Sequence, residues 1–222
     1  EERSGALEQM MEEVAHEIRN PLTSIGGFAR KVYGRLPEGD PNKKYMEMII
    51  EDVGILEGMI KQLIELKTTA ISLKEPTNIN DVIMDALKIF ELEFKQKAIN
   101  VETELVDNLP LIPIDVKLLK RALCNLIKNS IEAMVEETKV LKITSRLNEG
   151  RIEVLVSDTG KGIPGDKIKN IFDPLFTSKV YGPGLGLTFA LKIIQDHKGT
   201  ISVESELGKG TTFTIRLPVK KS

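Results

Sequence analysis

One histidine of this sequence lies on the polar side of an N-terminal helical pattern. His16 is two residues from each of Val14 and Ile18, about 200° around a helix from both, so its side chain is expected to face solvent. Asn20 shares its face, and the neighbouring carboxylate of Glu17 could orient or deprotonate the imidazole. The pattern predicts an accessible histidine that could take part in chemistry. An ordinary solvated helix face without a chemical role fits the pattern equally well.

The segment DTGKGIP predicts a binding site for an adenine ring. Asp158 follows a run of apolar strand residues, so its carboxylate is expected at a strand end, where it can accept a hydrogen bond from the amino group of the ring. Gly160 and Gly162 would let the backbone approach the ring closely, since neither carries a Cβ. Taken alone, the segment is equally compatible with an ordinary turn.

Two further segments predict contacts with phosphate groups and a metal ion. In GPGLGLTFALKII, an apolar helix opens with Gly182, Gly184 and Gly186, an arrangement that directs backbone amides at phosphate oxygens. In NLIKNSIEAM, Asn125 and Asn129 lie four residues apart on one helix face, and amide oxygens suit Mg²⁺. Helix capping or solvation is the alternative for both asparagines.

The part of the chain that carries His16 is predicted to be a helical hairpin. Apolar residues recur at spacings of three, four or their sums over 7–32 and again over 45–63. Asp40 and Pro41 suit the start of the second helix. Two helices of about 40 Å each cannot enclose their apolar faces, so we expect dimerisation into a four-helix bundle, with packing onto the rest of the same chain as the alternative.

The glycine and asparagine segments belong to a second part of mixed structure. The helical periodicity stops around ISLKEPTNIN, which predicts a linker or domain boundary. The expected elements beyond it are a helix over 80–97 with Asn80 as a candidate cap, a strand over 99–106, a helix over 115–134, and two hairpins with turns at 148–150 and 208–210. Together they predict an α/β layer structure with much antiparallel pairing.

The composition excludes several classes of protein. The chain has 31 basic and 33 acidic residues, a net charge of −2, so nucleic acid is not expected as a partner. A single cysteine, Cys124, excludes an internal disulfide framework and a cysteine-based zinc cluster. No apolar run approaches the roughly 20 residues that span a bilayer. The first residues start inside a helical pattern without a cap signal, which indicates a portion of a longer protein.

Five segments occur in the order of the H, N, first glycine, F and second glycine boxes of bacterial sensor histidine kinases: AHEIRNPLTSI, NLIKNSIEAM, DTGKGIP, FDPLFTSK and GPGLGLTFA. The sequence resembles that family over essentially its whole length, and most closely its nitrogen-regulator-like, often PAS-linked branch. The resemblance implies an α+β protein with a dimerisation and phosphotransfer hairpin over 1–71, a linker over 72–79 and a catalytic ATP-binding domain over 80–222. That domain would have the Bergerat (GHKL) fold shared with gyrase, the Hsp90 chaperone and MutL.

The resemblance also implies a role for each residue of the H and N boxes. His16 would be the phosphoacceptor, with Glu17 as its general base or orienting group. Asn129 matches the magnesium ligand, and Asn125 matches a partner that faces the phosphates or the metal. Glu17 and Asn20 match the E-x-x-N pattern with which family members dephosphorylate a response regulator, where Asn20 would position the attacking water.

The remaining boxes would hold ATP. Asp158 matches the adenine-binding carboxylate, assisted by Gly160 and Gly162, with Thr211 or Thr212 as a further candidate. The phosphate-proximal glycines of the ATP lid are matched by Gly182, Gly184 and Gly186. Lys179 in the F box matches a phosphate-neutralising cation. Because the lid is short and contains no arginine, Lys179 is expected to carry most of the local charge neutralisation beside Mg²⁺.

The function implied by the resemblance is ATP-dependent autophosphorylation of His16 and transfer of the phosphoryl group to an aspartate of a response regulator receiver domain. The core would be a cytoplasmic homodimer, and an upstream sensor domain would lie outside this sequence. Two alternatives remain open: a catalytically degenerate dimeric scaffold, and a conformational ATPase of the GHKL type. Labelling with γ-labelled ATP would separate the three.

Overall fold

Two long helices, α1 (Glu2–Tyr33) and α2 (Pro41–Thr68), form an N-terminal helical hairpin. The computed structural model describes residues 2–68, 72, 76–174, 176 and 184–219, with the backbone alone for 2–16, 62, 63 and 65–68. As the sequence predicts, α2 begins with proline, and Asp40 Oδ1 accepts a hydrogen bond of 2.8 Å from the amide of Asn42. Helix α1 continues through Pro21.

The hairpin buries only a thin line of apolar side chains. Leu22, Val53 and Ile60 form its buried cluster, and Ile64 packs against them. Within the described residues, the exposed large apolar side chains of the hairpin are Ile18, Ile25, Phe28, Val32, Tyr45, Met48, Ile49 and Leu56. Each helix therefore carries a second apolar stripe that the other helix does not cover.

The second unit is an α/β structure that begins with a short strand. Its helices, in the described residues, are α3 (Ile79–Ile89), α4 (Glu91–Gln96), α5 (Val116–Ala133) and α6 (Gly186–Asp196). Its strands are β1 (Pro76–Thr77), β2 (Asn100–Leu105), β3 (Ile112–Pro113), β4 (Val140–Asn148), β5 (Arg151–Asp158), β6 (Thr200–Glu206) and β7 (Gly210–Pro218).

One five-stranded sheet has the strand order β2-β4-β5-β7-β6, in which β2 and β4 are parallel and the other pairs antiparallel. Cross-strand neighbours on one face are apolar and buried, such as Ile143, Val156 and Phe213. Helices α5 and α6 pack against that face, and α3 packs against α5. The core of this unit therefore lies between one sheet and one helical layer, as expected for an α/β layer structure.

Two predicted details of the α/β unit are wrong. The N-cap of α3 is Asn78 instead of Asn80, because Asn78 Oδ1 accepts a hydrogen bond of 3.0 Å from the Asn80 amide. The Asn80 side chain instead bonds to the Val106 carbonyl and to Ser145 Oγ, so it ties the helix to the sheet. The helix predicted over 80–97 is also divided at Phe90, whose amide bonds to the Leu87 carbonyl and tightens the turn.

A two-stranded antiparallel sheet lies at the start of the α/β unit. Pro76 pairs with Pro113 and Thr77 with Ile112, so residues of the predicted linker are attached directly in front of α5. This pairing places the incoming chain beside the N-terminus of the helix that carries both asparagines.

Candidate functional site

Helix α5 brings Asn125 to the beginning of α6. The buried residues of α5 include Leu119, Leu126 and Ile127, whereas Asn125 and Asn129 are only half-buried. Asn125 Nδ2 donates a hydrogen bond of 3.1 Å to the carbonyl of Gly186, the first residue of α6. Because this acceptor fixes the amide orientation, Asn125 Oδ1 is the atom left for a cation or a water molecule.

The N-terminus of α6 has the geometry of an anion site. The first backbone amides of a helix lack intrahelical acceptors and carry the positive end of the helix dipole. Gly184, just before the helix, has φ of +65°, a conformation that favours glycine. Thr188 Oγ1 donates to the carbonyl of Phe172 at 3.0 Å, which holds the F-box segment against α6. Lys179 and Gly182 lie outside the described residues.

Asp158 lies at the end of β5, as the sequence predicts, and its relative exposure to solvent is only 7%. Its Oδ1 accepts a hydrogen bond of 2.9 Å from the amide of Gly160. Burial raises the pKa of Asp158 above its usual value, although contacts with Gly160, Ser130 and the Thr211 backbone counteract part of that rise. A buried carboxylate with lone pairs to spare is suited to accept a hydrogen bond from a ligand.

Ser130 is a site residue that the sequence analysis missed. Its hydroxyl is buried and has no well-aligned hydrogen-bond partner in the part of the chain that the structure describes, yet it lies close enough to Asp158 to lower the pKa of that carboxyl. A buried hydroxyl without a partner is costly. The available signal was its place beside Asn129 in NSIEAM, but the helical pattern alone gives no reason to prefer a serine there.

The two glycines after Asp158 pack closely against neighbouring elements. A Cβ on Gly160 would lie 2.7 Å from the Cβ of Ala133, and one on Gly162 would overlap the carbonyl of Glu206. Gly162 also has φ of +70°. Both glycines therefore let the loop pack against α5 and the β6–β7 hairpin, and it is this packing that places the loop beside Asp158.

The structure distinguishes between the two candidate threonines. Thr211 is paired with Asp158 across the β5–β7 ladder and is buried on the same face. Thr212 is paired with Ser157 instead, and their hydroxyls lie 2.9 Å apart on the opposite face. Thr211 is thus the threonine on the Asp158 side of the sheet.

The H-box residues lie on α1 of the helical hairpin. Glu17 and Asn20 are exposed, as expected for the polar side of the helix. His16 lies in the same helix, four residues before Asn20, and its side chain is outside the described residues. Pro21 has no amide hydrogen, so the regular α-helical hydrogen bond from residue 21 to the Glu17 carbonyl is missing beside His16.

Comparison with known proteins assigns both units to one family. Residues 6–69 match the model described as His Kinase A (phospho-acceptor) domain. Residues 114–221 match the model described as Histidine kinase-, DNA gyrase B-, and HSP90-like ATPase. The sensor histidine kinase ZraS of Escherichia coli (strain K12) is 36% identical over 219 residues, which cover 98% of this chain and 47% of ZraS.

Solved structures of the histidine kinase ThkA agree with this assignment. Its catalytic domain is 32% identical, with a TM-score of 0.59, and the match covers 68% of this chain and 96% of that one. ThkA in complex with the response regulator protein TrrA is 31% identical, with a TM-score of 0.73, covering 99% of this chain and 64% of that one. The chain belongs to the sensor histidine kinase family.

This histidine kinase core spans about half the length of ZraS. In the catalytic unit, the fold brings together two of the predicted groups: Asn125 with Gly186, and Asp158 with Gly160. Within the part of the chain that the structure describes, none of the helices is long and apolar enough to cross a lipid bilayer.

Proposed function

We propose that this histidine kinase core transfers the γ-phosphoryl group of ATP to the imidazole of His16. The observation that carries the assignment concerns the other histidine of the chain, His197. His197 is 6% exposed, with Nδ1 hydrogen-bonded to the Ile193 carbonyl at 2.7 Å and Nε2 to the Asp115 amide at 2.9 Å. With both ring nitrogens occupied, His197 has no lone pair available to attack phosphorus. We therefore propose His16, the other histidine of the sequence, as the acceptor.

The α/β unit would bind ATP at the two places that the geometry supports. The adenine amino group would donate to Asp158, and the orphaned Ser130 hydroxyl would gain a partner through the ring or a water molecule. The phosphates would lie at the N-terminus of α6, near Gly184 and Gly186.

A magnesium ion fits the donor set beside α6. Among the described residues there is no cluster of three or more His, Cys, Asp or Glu side chains able to hold a metal. The amide oxygens of Asn129 and Asn125 would therefore complement phosphate oxygens and water, since Asn125 uses its Nδ2 for the bond to the Gly186 carbonyl. When bound, Mg²⁺ would neutralise phosphate charge. We propose Lys179 as the protein cation for the same task.

The phosphoryl step needs placement more than covalent help from other side chains. One nitrogen of neutral His16 attacks the γ-phosphorus, the bond to the β–γ bridging oxygen breaks, and ADP leaves with that electron pair. Glu17, next in sequence and exposed on α1, would hold or accept the proton of the second ring nitrogen. The phosphohistidine is then available to an acceptor.

The acceptor we propose is an aspartate of a response regulator, which is the type of partner present in the ThkA–TrrA complex. Asn20 is exposed four residues from His16, where its amide could position a water molecule for the reverse task of dephosphorylating the regulator. Since ATP is the phosphoryl donor, we place this core in the cytoplasm.

We also propose that the hairpin forms a homodimer. Exposed apolar residues on both helices, including Phe28 at 70% and Met48 at 53%, form stripes that a second hairpin would cover in a four-helix bundle. A dimer would complete the core that Leu22, Val53 and Ile60 begin.

The direct test is incubation with γ-labelled ATP, followed by mapping of the labelled residue. His16→Ala should abolish labelling without changing the Kd of a non-hydrolysable ATP analogue. An acid-labile label on another residue, or labelling that persists in His16→Ala, would contradict the assignment. Analogue binding without any label would indicate a scaffold, and steady phosphate release without phosphohistidine would indicate a conformational ATPase.

A further inference from the structure

Asp115 lies where the chain arriving from the helical hairpin meets α5. Its Oδ2 accepts a hydrogen bond of 3.1 Å from the backbone amide of Ser72. Just after Ser72, Pro76 and Thr77 pair with β3, which ends two residues before Asp115. The incoming chain is therefore attached to the α/β unit at two points, and Ser72 is the earlier of them.

Other polar atoms of Asp115 form hydrogen bonds at the N-terminus of α5 and with His197, which follows α6. Oδ1 accepts a hydrogen bond of 3.1 Å from the amide of Leu118 and caps α5. The Asp115 amide donates to His197 Nε2 at 2.9 Å, and His197 Nδ1 lies 2.7 Å from the Ile193 carbonyl near the end of α6. One residue thus connects the linker with the N-terminus of α5 and the C-terminus of α6.

Helices α5 and α6 join this junction to the proposed phosphate site. The pair is antiparallel, because Asp115 contacts His197, the Arg121 guanidinium lies 3.9 Å from the centre of the Phe189 ring, and Asn125 bonds to Gly186. At 1.5 Å per residue, the junction lies about 15 Å from Asn125 along α5. A change in how the linker is held would therefore alter the tether of this packed helix pair as a whole and leave the contacts between α5 and α6 unchanged.

We propose that Asp115 is a positioning residue that clamps the interdomain linker at Ser72 and so shortens the tether between His16 and the ATP site. This inference rests on the proposed phosphorylation of His16. Its consequence follows from chain length: the chain from Thr68, where α2 ends, reaches Ser72 after four residues and Pro76 after eight. Because an extended chain covers at most about 3.5 Å per residue, the tether from the end of α2 can reach about 14 Å with the clamp and about 28 Å without it.

A shorter tether raises the effective concentration of the ATP site around His16. Effective concentration falls roughly as the −3/2 power of tether length once the tether spans the sites. Doubling the tether should therefore lower the rate of His16 phosphorylation about threefold. The ATP site itself would be unchanged, because neither Ser72 nor Asp115 Oδ2 belongs to the proposed nucleotide contacts.

The carboxylate of Asp115 permits a substitution that separates the clamp from the cap. In Asp115→Asn, the single amide oxygen can still cap α5, but the other position becomes a donor and cannot accept from the Ser72 amide. Ser72→Pro removes the same hydrogen bond from the linker side, because proline has no amide hydrogen. Ser72→Ala keeps that amide and is the matched control.

The experiment measures single-turnover labelling of His16 at saturating ATP, the Kd of an ATP analogue, and amide hydrogen exchange at Ser72. We expect Asp115→Asn and Ser72→Pro each to slow labelling about threefold, their combination to have the same effect as either alone, and Ser72→Ala to match the wild type. The analogue Kd should stay constant in all four variants. The Ser72 amide should be protected from exchange in the wild type and exposed in Asp115→Asn.

The clamp would be overturned by unprotected exchange at Ser72 in the wild type, by labelling as fast as the wild type or faster in both single variants, or by a multiplicative effect of the two substitutions. A rate loss in Asp115→Asn that is matched by weaker analogue binding would also overturn it, because it would indicate a structural cap alone. A wild-type chain that takes no label contradicts the proposed function instead, while the exchange measurement still decides whether the clamp exists.

Discussion

The helical hairpin and the α/β unit each have one face that their own helices cover and one that they do not, but the chemistry of the second face differs. On the hairpin, that face carries large apolar residues such as Ile25 and Phe28. On the sheet, the face opposite the helices carries polar residues, including Glu153, which accepts hydrogen bonds from Arg146 and Arg216. A polar face can remain in contact with water, whereas an extended apolar face requires a partner. The difference supports the proposal that the hairpin, and not the α/β unit, depends on a second chain.

The largest expected effect is on the hairpin. Phe28→Asp would place a charge in each half of the dimer interface, which we expect to cost at least about 4 kcal/mol in total, or roughly a thousandfold in dimer Kd. Leu92→Asp is the matched control, because Leu92 in the α/β unit is equally exposed, at 69% against 70% for Phe28. Sedimentation equilibrium should show monomers for Phe28→Asp and unchanged dimers for Leu92→Asp. Equal behaviour of the two variants would remove the contrast between the units.

The next effect is confined to the α/β unit. Asp158→Asn should weaken nucleotide binding about 10- to 100-fold, the value of one hydrogen bond to a charged acceptor, without changing the dimer Kd. Calorimetric titration with an ATP analogue measures the first quantity and sedimentation the second. Normal nucleotide affinity in this variant would refute the adenine role of Asp158.

The pH dependence of this site follows from the raised pKa of Asp158. For a buried carboxyl of this kind, the contribution to folding is favourable below the ordinary pKa of about 3.9 and is lost as the pH rises through the raised value. At neutral pH, Asp158→Asn should therefore raise the melting temperature of the nucleotide-free protein while it weakens binding. In the wild type, acidification should weaken analogue binding from a higher pH than an ordinary aspartate would, and this dependence should disappear in Asp158→Asn.

Local patterns predicted the elements well, and the contacts between distant residues poorly. The helical stripes, the two hairpins of the sheet and the position of Asp158 follow from periodicity and turn residues. The cap at Asn78 was missed because it depends on how β1 enters the unit. The contact between His197 and Asp115 was not predicted, since nothing local indicates that the acceptor nitrogen of this ring meets a residue 82 positions away. Such pairings arise from packing and leave no periodic signal.

The contacts of Glu153 on the sheet were likewise not predictable from local patterns, because its two arginine partners lie on different strands. Arg146 Nε and Arg216 Nε lie 2.8 and 2.7 Å from its carboxylate, and Arg216 Nη1 also donates to Ser202 Oγ. Burial alone would raise the pKa of Glu153, but hydrogen bonds from the two arginines and Asn148 hold it below its usual value. This network lets the sheet keep a charged face without a second layer of apolar residues.

The smallest expected effect comes from removing that charge. Glu153→Gln should lower the free energy of unfolding by only about 1–2 kcal/mol at pH 7, because both arginines are partly exposed and regain water. Since the folded pKa is lowered, the wild-type advantage is present above about pH 4.3 and is lost as the pH falls through the folded value. Urea unfolding of both forms at pH 7 and pH 3 measures this, with exposed Glu204→Gln as the control. A loss that persists undiminished at pH 3 would mean that packing, instead of charge, holds this face of the sheet.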